Sequence, residues 1–359
     1  QPENVMSKWE WKKLKDICEK GSSNIKQSDL KDLTGDYPIF GASGYIQNVD
    51  FYQRDRDYIG IIKDGSGVGR TMLLPAFSSV IGTLQYILPK EGNDIKFINY
   101  ALQNIDFSKS VQGAAIPHIY FKDYGETEIL VAPLSEQKRI VKFLDEEFSK
   151  IDTLKTNAET NLKNAKELFE SELRKTFGNP IWKKKNFSDL FKLKSGEYLN
   201  SKDISEGEYP VYGGNGIIAF HNKYNLNGAN VIIGRVGALC GNVRFISDPI
   251  WLTDNAFRIV FQTDEIDCLF ATYLLNFLNL RSYARQAAQP VISNASLKDV
   301  SIPLPPLSVQ KEIVARLDKL SENVKRLEAN YKQIIANCDE LKKSILKKTF
   351  EGDSRSSRE

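Results

Sequence analysis

Pro133-Leu134-Ser135-Glu136-Gln137-Lys138-Arg139-Ile140-Val141 decides how this chain is read, because 173 residues later it returns as Pro306-Leu307-Ser308-Val309-Gln310-Lys311-Glu312-Ile313-Val314, identical at seven of nine positions. A self-match at fixed spacing is the signature of an internal repeat. Tyr37-Pro38-Ile39-Phe40-Gly41-Ala42-Ser43-Gly44 returns 172 residues on as Tyr209-Pro210-Val211-Tyr212-Gly213-Gly214-Asn215-Gly216. Lys175-Thr176-Phe177 returns as Lys348-Thr349-Phe350, and Trp11-Lys12-Lys13 as Trp182-Lys183-Lys184. Solenoid units run to roughly 20–50 residues; a copy more than three times that length can carry its own core. The 359-residue chain is therefore a tandem duplication of domains.

The texture changes at the Pro-Leu-Ser-x-Gln junction. Before it lie short β-type runs broken by Gly-rich turns; after it comes a long charged stretch without Gly or Pro. Residues 135–177 and 308–350 each read as one helix with Ser135 or Ser308 as N-cap, about 65 Å long at 1.5 Å per residue. In the second, Ile313, Leu317, Leu320, Val324, Leu327, Tyr331, Ile334, Cys338, Leu341 and Ile345 alternate steps of four and three, a coiled-coil seam. The first carries a broader stripe that includes Ile151, Leu154 and Leu168. Helices this long need an apolar surface to bury, and pairing with each other supplies it. Antiparallel pairing with pseudo-twofold symmetry is expected, with a globular domain at each end of a rod; homodimeric pairing through the same seams is the alternative.

Tyr58–Ile62, Phe77–Ile81, Thr83–Leu88, Ala229–Ile233, Val243–Ile246 and Phe257–Phe261 read as strands, and Phe97–Gln103 and Leu269–Leu280 as helices. The fold class is α+β. It comprises two duplicated mixed α/β domains, each followed by a long helix, bounded as 1–132, 133–178, 179–305 and 306–351, with a polar tail 352–359.

Composition narrows the function. Hydrophobic residues make up 41% and charged residues 26%, ordinary for a folded chain. No run reaches the roughly 18 apolar residues of a membrane span and the start lacks a signal sequence, so a cytoplasmic location is expected. The chain opens at Gln1 with Met6 close behind, which leaves its native start open. Cys18, Cys240, Cys268 and Cys338 have no paired spacing, and His118 and His221 have no metal-ligand or Ser/His/Asp context. Neither redox nor histidine-based catalysis is indicated. With 49 Lys and Arg against 46 Asp and Glu, any basic patch must be local.

Gly65-Ser66-Gly67-Val68-Gly69, repeated as Gly237-Ala238-Leu239-Cys240-Gly241, resembles a nucleotide loop only superficially, because strand-like residues follow where a helix should open. It reads as a tight turn, or as a turn that presents groups to a partner: Lys63 and Arg70 flank one copy, Arg235 and Arg244 the other. Asn179-Pro180-Ile181-Trp182 is similar to part of an amino-group methyltransferase signature but lacks its second proline, and reads as a helix cap and linker. Base-competent side chains interleave with aromatics from Tyr45 to Arg56, in His221-Asn222-Lys223-Tyr224, and around Gln112 and Arg285-Gln286.

Taken together, the ordered pairs of domains, Pro-Leu-x-x-Gln junctions and long helices resemble the specificity subunits of type I restriction-modification systems, from about Trp9 to Phe350. The resemblance implies a non-catalytic DNA reader in which each target-recognition domain takes half of a bipartite target and the helices set the gap. It implies partners as well: two modification subunits, which carry S-adenosylmethionine and flip an adenine, and restriction subunits that use ATP and magnesium. No cofactor or metal is expected on this chain itself. On this reading Lys63, Arg70, Arg235, Arg244, Arg54 and Arg56 contact phosphate. Tyr45, Gln47, Asn48, Gln112, His221, Asn222, Lys223, Tyr224 and Arg285 are candidates to read bases. Ile151, Leu154, Leu168, Leu317, Leu320, Val324, Leu327 and Leu341 pair the helices. A coiled-coil adaptor for protein partners, and an enzyme using the Gly65 loop for a nucleotide, are the competing readings.

Overall fold

The computed structural model describes residues 9–113, 115–178, 181–285 and 290–351. Met6, Asn179-Pro180, Gln286 and the 352–359 tail lie outside the described residues. Among those described, the two copies repeat one set of sheets. In the first, strands order as Cys18–Ser22, Leu84–Pro89, Tyr58–Ile62, Thr71–Leu74, all antiparallel. A smaller sheet orders Gly44–Val49, Tyr37–Gly41, Ser79–Val80, with the last pair parallel. The second copy has Phe191–Ser195, Ala256–Phe261, Asn230–Gly234, Val243–Ile246, and then Gly216–His221, Tyr209–Gly213, Trp251–Leu252. The strand expected over Phe77–Ile81 shrinks to Ser79–Val80, because Phe77 takes a left-handed φ of 54° that extended backbone cannot accommodate.

Two compact units result. One takes residues up to Glu159 together with those from Gln333 onward; the other is Thr160–Lys332. The long helices Leu134–Phe177 and Leu307–Glu351 each contribute to both. They start one residue before the expected N-cap serines: Pro133 and Pro306 carbonyls accept from the Gln137 and Gln310 amides, which leaves Ser135 and Ser308 inside the first turn.

The junction glutamine explains why that motif is duplicated. Gln137 is buried; its Oε1 accepts from the Asp94 amide at 2.7 Å and its Nε2 donates to the Ala132 carbonyl at 2.8 Å. Gln310 does the same with the Asp267 amide at 2.8 Å and the Pro305 carbonyl at 2.8 Å. Asp94 and Asp267 themselves cap the helices Ile95–Gln103 and Cys268–Phe277, so each clamp ties a long helix to the start of a domain helix. Two turns further along each long helix, Tyr100 donates to Asp145 and Tyr273 to Asp318, both at 2.6 Å. Burial opposes ionisation of Asp145, but bonds from Lys96 and Tyr100 outweigh it and hold the carboxyl below its usual range. The Lys-Thr-Phe motifs close the cores, Phe350 against Phe97 and Phe177 against Phe270.

The helix seam corrects the leucine pattern. In the first unit the helices run antiparallel, with Lys155 bonded to Asp339 at 2.7 Å and Lys342 paired to Asp152. In the second, Arg316 reaches Glu172 at 3.2 Å and Thr176 at 2.9 Å. Leu144, Ile151, Ala158 and Ala165 on one helix, and Leu317, Val324 and Cys338 on the other, are buried, and Leu320 is partly so. Leu154 and Leu168 are each 52% exposed, Leu341 48% and Leu327 36%. In the first unit the intervening seam positions are Lys155 and Lys342, both partly buried, with their ammonium groups on carboxylates of the other helix; Lys342 also lies over the Phe148 ring. The sequence pattern favours a leucine three residues on over a lysine four residues on, and the packing takes the lysine.

No helix among the described residues is long and apolar enough to cross a membrane. The four cysteines are free thiols, and burial pushes Cys18 up to about 12.

Candidate nucleic-acid interface

Both glycine segments are tight turns between antiparallel strands, Tyr58–Ile62 to Thr71–Leu74 and Asn230–Gly234 to Val243–Ile246. Gly65, Gly69, Gly237 and Gly241 all have positive φ, and a Cβ on Gly69 would strike the Phe107 ring. Neither turn opens a helix, so the nucleotide-loop reading fails here on geometry.

Each turn is held in a backbone bracket, nearly bond for bond the same in the two copies. Gly69 donates to Ile62 and Gly241 to Gly234; Ile119 donates to Lys63 and Ile292 to Arg235. Gln112 pairs through its main chain with His118, and Arg285 donates to Val291. The bracket brings the flanking candidates Lys63, Arg70 and Gln112 together in the first copy, and Arg235, Arg244 and Arg285 in the second.

The side chains on this common backbone differ. Lys63 sits 3.2 Å from Asp64, whose other oxygen is 2.7 Å from His118 Nδ1; Gln112 donates to Asp123 at 3.0 Å. In the second copy Asp64 and His118 become Val236 and Val291. There Arg235 donates to the Asp254 carbonyl at 3.2 Å and lies over Phe257, Arg281 donates to the Ala238 carbonyl, and Asn215 accepts from the Leu239 amide at 3.0 Å. Burial raises the Cys240 thiol, with Arg281 opposing, so that side chain fills space rather than acting as a nucleophile.

One charge is kept by different residues. Arg70 folds over Gly67, where a Cβ would collide with its guanidinium, and reaches the Ala42 carbonyl at 3.4 Å. In the second copy the residue at that place is Asn242, and Leu239 stands where Gly67 did. Arg244, two positions on, instead brings its guanidinium to Gly216, 3.5 Å from where a Cβ would be. Both arginines therefore sit at the hairpin turns 41–44 and 213–216.

Other candidates are not brought to the brackets. Gln47 donates to the Leu30 and Leu33 carbonyls, both at 2.8 Å, so its amide braces a loop and does not read bases. His221 is buried, accepts from the Ser205 amide at 3.1 Å and packs edge-on to Trp251, which removes it from the readers as well. Arg54 stacks 4.3 Å from the Tyr86 ring centroid and closes over Gly21; Leu226, buried, holds the equivalent position in the second copy. Position 54 thus belongs to the domain's packing rather than to a phosphate contact. Arg56, Asn222 and Lys223 are exposed, Tyr45 is exposed with its hydroxyl on Asn48, and Tyr224 packs on Tyr209 as Tyr52 does on Tyr37.

Asp64, His118, Arg281 and Asn215 are bracket residues that the sequence reading did not single out. Aligning the copies at 172–173 residues exposes the Asp64/Val236 and His118/Val291 differences, but only the fold brings position 118 beside the glycine turn. Among the described residues no group of three or more His, Cys, Asp or Glu is placed to hold a metal ion.

A family model described as type I restriction modification DNA specificity domain matches residues 6–164 and again 180–336. The type I restriction enzyme EcoprrI specificity subunit of Escherichia coli is 32% identical over 142 residues, 38% of this chain and 35% of that protein. This chain thus matches about a third of that relative's length. The MjaVIII specificity subunit of Methanocaldococcus jannaschii is 24% identical over 411 residues, covering 98% of this chain and 94% of that one. A solved chain from work on complex assembly and conformational transition of the type I R-M system superposes with a TM-score of 0.76 at 18% identity, covering 98% of this chain and 100% of that one.

Proposed function

This chain belongs to the type I restriction-modification DNA specificity family, and from that premise we propose that it is the sequence-reading subunit of such a complex. Each globular unit takes one half of a bipartite duplex target. The observation that carries the reading is the pair of brackets: the same backbone frame twice, with Lys63 and Arg70 on one and Arg235 and Arg244 on the other. Solvent-accessible cations beside glycine turns, Arg70 exposed and Lys63, Arg235 and Arg244 partly so, suit phosphate, since backbone can approach closely there and phosphate contacts fix register before bases are read.

The chain itself contributes no catalytic group on this reading. Two modification subunits dock on it, bind S-adenosylmethionine and flip the target adenine, while restriction subunits supply ATP- and magnesium-dependent cleavage in the cytoplasm of a prokaryote. The long helices set the unspecified gap. Adding seven residues to each within the seam would lengthen them by about 10 Å, so the gap should grow by about three base pairs.

The test is co-expression with the modification subunit encoded beside this chain, followed by genome-wide mapping of methylated adenines. A bipartite motif with a fixed gap is the expected result. A stable complex that methylates no motif would assign the chain to the adaptor class instead.

A further inference from the structure

We infer that the bracket positions 64/236, 112/285 and 118/291 are specificity-determining: they set which bases the first and second half-targets carry. This rests on the DNA-reading function proposed above and names the side chains through which it acts. Val236 and Val291 stand where Asp64 and His118 are hydrogen-bonded, yet the bracket around them keeps its main-chain bonds, Ile292 to Arg235 at 3.0 Å and Arg285 to Val291 at 3.0 Å. The bracket therefore folds without the histidine–aspartate pair, and the pair is not there to hold it.

What the pair does supply is a fixed pattern of donors and acceptors. A carboxylate only accepts, so His118 Nδ1–H donates to Asp64 across 2.7 Å, and in the neutral ring Nε2 is left as an acceptor. Lys63, 3.2 Å from the second carboxylate oxygen, holds Asp64 from the other side. Both side chains keep solvent access, 36% for His118 and 28% for Asp64. Gln112, exposed, has its amide oriented by the bond to Asp123. The first face thus offers acceptors and an oriented amide.

The second face offers a different chemistry at the same places. Arg285 is a donor only, and two valines replace the polar pair. Major-groove edges sort along these lines: guanidinium to guanine, amide to adenine, carboxylate to the cytosine amino group, and apolar contact to the thymine methyl. Two copies with one frame and opposite side-chain chemistry are what reading two unlike half-sequences requires.

The experiment uses the assembled complex of this chain with its modification subunits. The variant Asp64→Val/Gln112→Arg/His118→Val installs second-copy identities in the first bracket. Its target is read by selection from a randomised duplex library and by methylation mapping. The expected result is a changed first half, with preference at one or more base pairs altered about tenfold or more, and an unchanged second half and gap. A first half unaltered within twofold, or both halves altered, overturns the inference. Should the triple variant fail to assemble, His118→Asn keeps a donor for Asp64 and removes only the Nε2 acceptor. It must lower one first-half preference about tenfold, and an unshifted motif overturns the inference equally. If the unaltered complex yields no bipartite motif, the function proposed above falls instead.

Discussion

At the helix junction the two halves are chemically alike: Gln137 and Gln310, Tyr100 and Tyr273, Asp145 and Asp318, Phe97 and Phe270 make matching contacts. At the glycine turns they share backbone bonds and differ in nearly every exposed side chain. The contrast separates two jobs. Buried polar clamps and aromatic contacts recur in both halves and hold each together, whereas the turn face keeps its frame and changes what it displays, which is where the proposed function puts discrimination.

The contrast can be broken most forcefully in the seam. Leu317→Ala removes a fully buried side chain, and a loss of about 3–5 kcal/mol is expected in denaturant unfolding. Gln310→Leu, or Gln137→Leu, strands a buried amide and a carbonyl. Each should cost about 2–4 kcal/mol while leaving the methylation motif of the surviving complex intact; a changed motif would mean that the junction also reads DNA. Arg70→Ala should weaken binding of the complex to all duplexes alike and reduce the salt slope of log K by about one. A sequence-dependent loss would move Arg70 from the phosphate contacts to the readers. Smaller again is Tyr100→Phe, at about 1 kcal/mol. Because the folded Asp145 carboxyl sits below its usual range, its contribution is present above the unfolded pKa and is lost as pH falls through the folded one. The Tyr100→Phe penalty should therefore shrink in acid. Least of all, Leu168→Ala should cost under about 1 kcal/mol, since half of that side chain is in solvent.

The duplication made the domain order, the long helices and most strands legible, because periodic apolar residues and turn glycines report local structure directly. Less legible was whatever depended on a side chain's far end. Gln47 and Asn48 look alike as base readers, yet one braces the Leu30 and Leu33 carbonyls and the other meets Tyr45 at the surface. Arg54 and Arg70 are both arginines in polar loops, and only the stacking on Tyr86 separates them. At Leu154 and Leu341 the leucine pattern fails because hydropathy counts a lysine as wholly polar, whereas Lys155 and Lys342 are the side chains drawn across to carboxylates on the other helix.

The central claim, that each half reads its own half-target through an equivalent face, is tested most directly by replacing the second globular domain with a copy of the first and mapping methylation in the assembled complex. The account predicts a target that carries the first half-sequence twice, with the second gone. Retention of the original second half would contradict it.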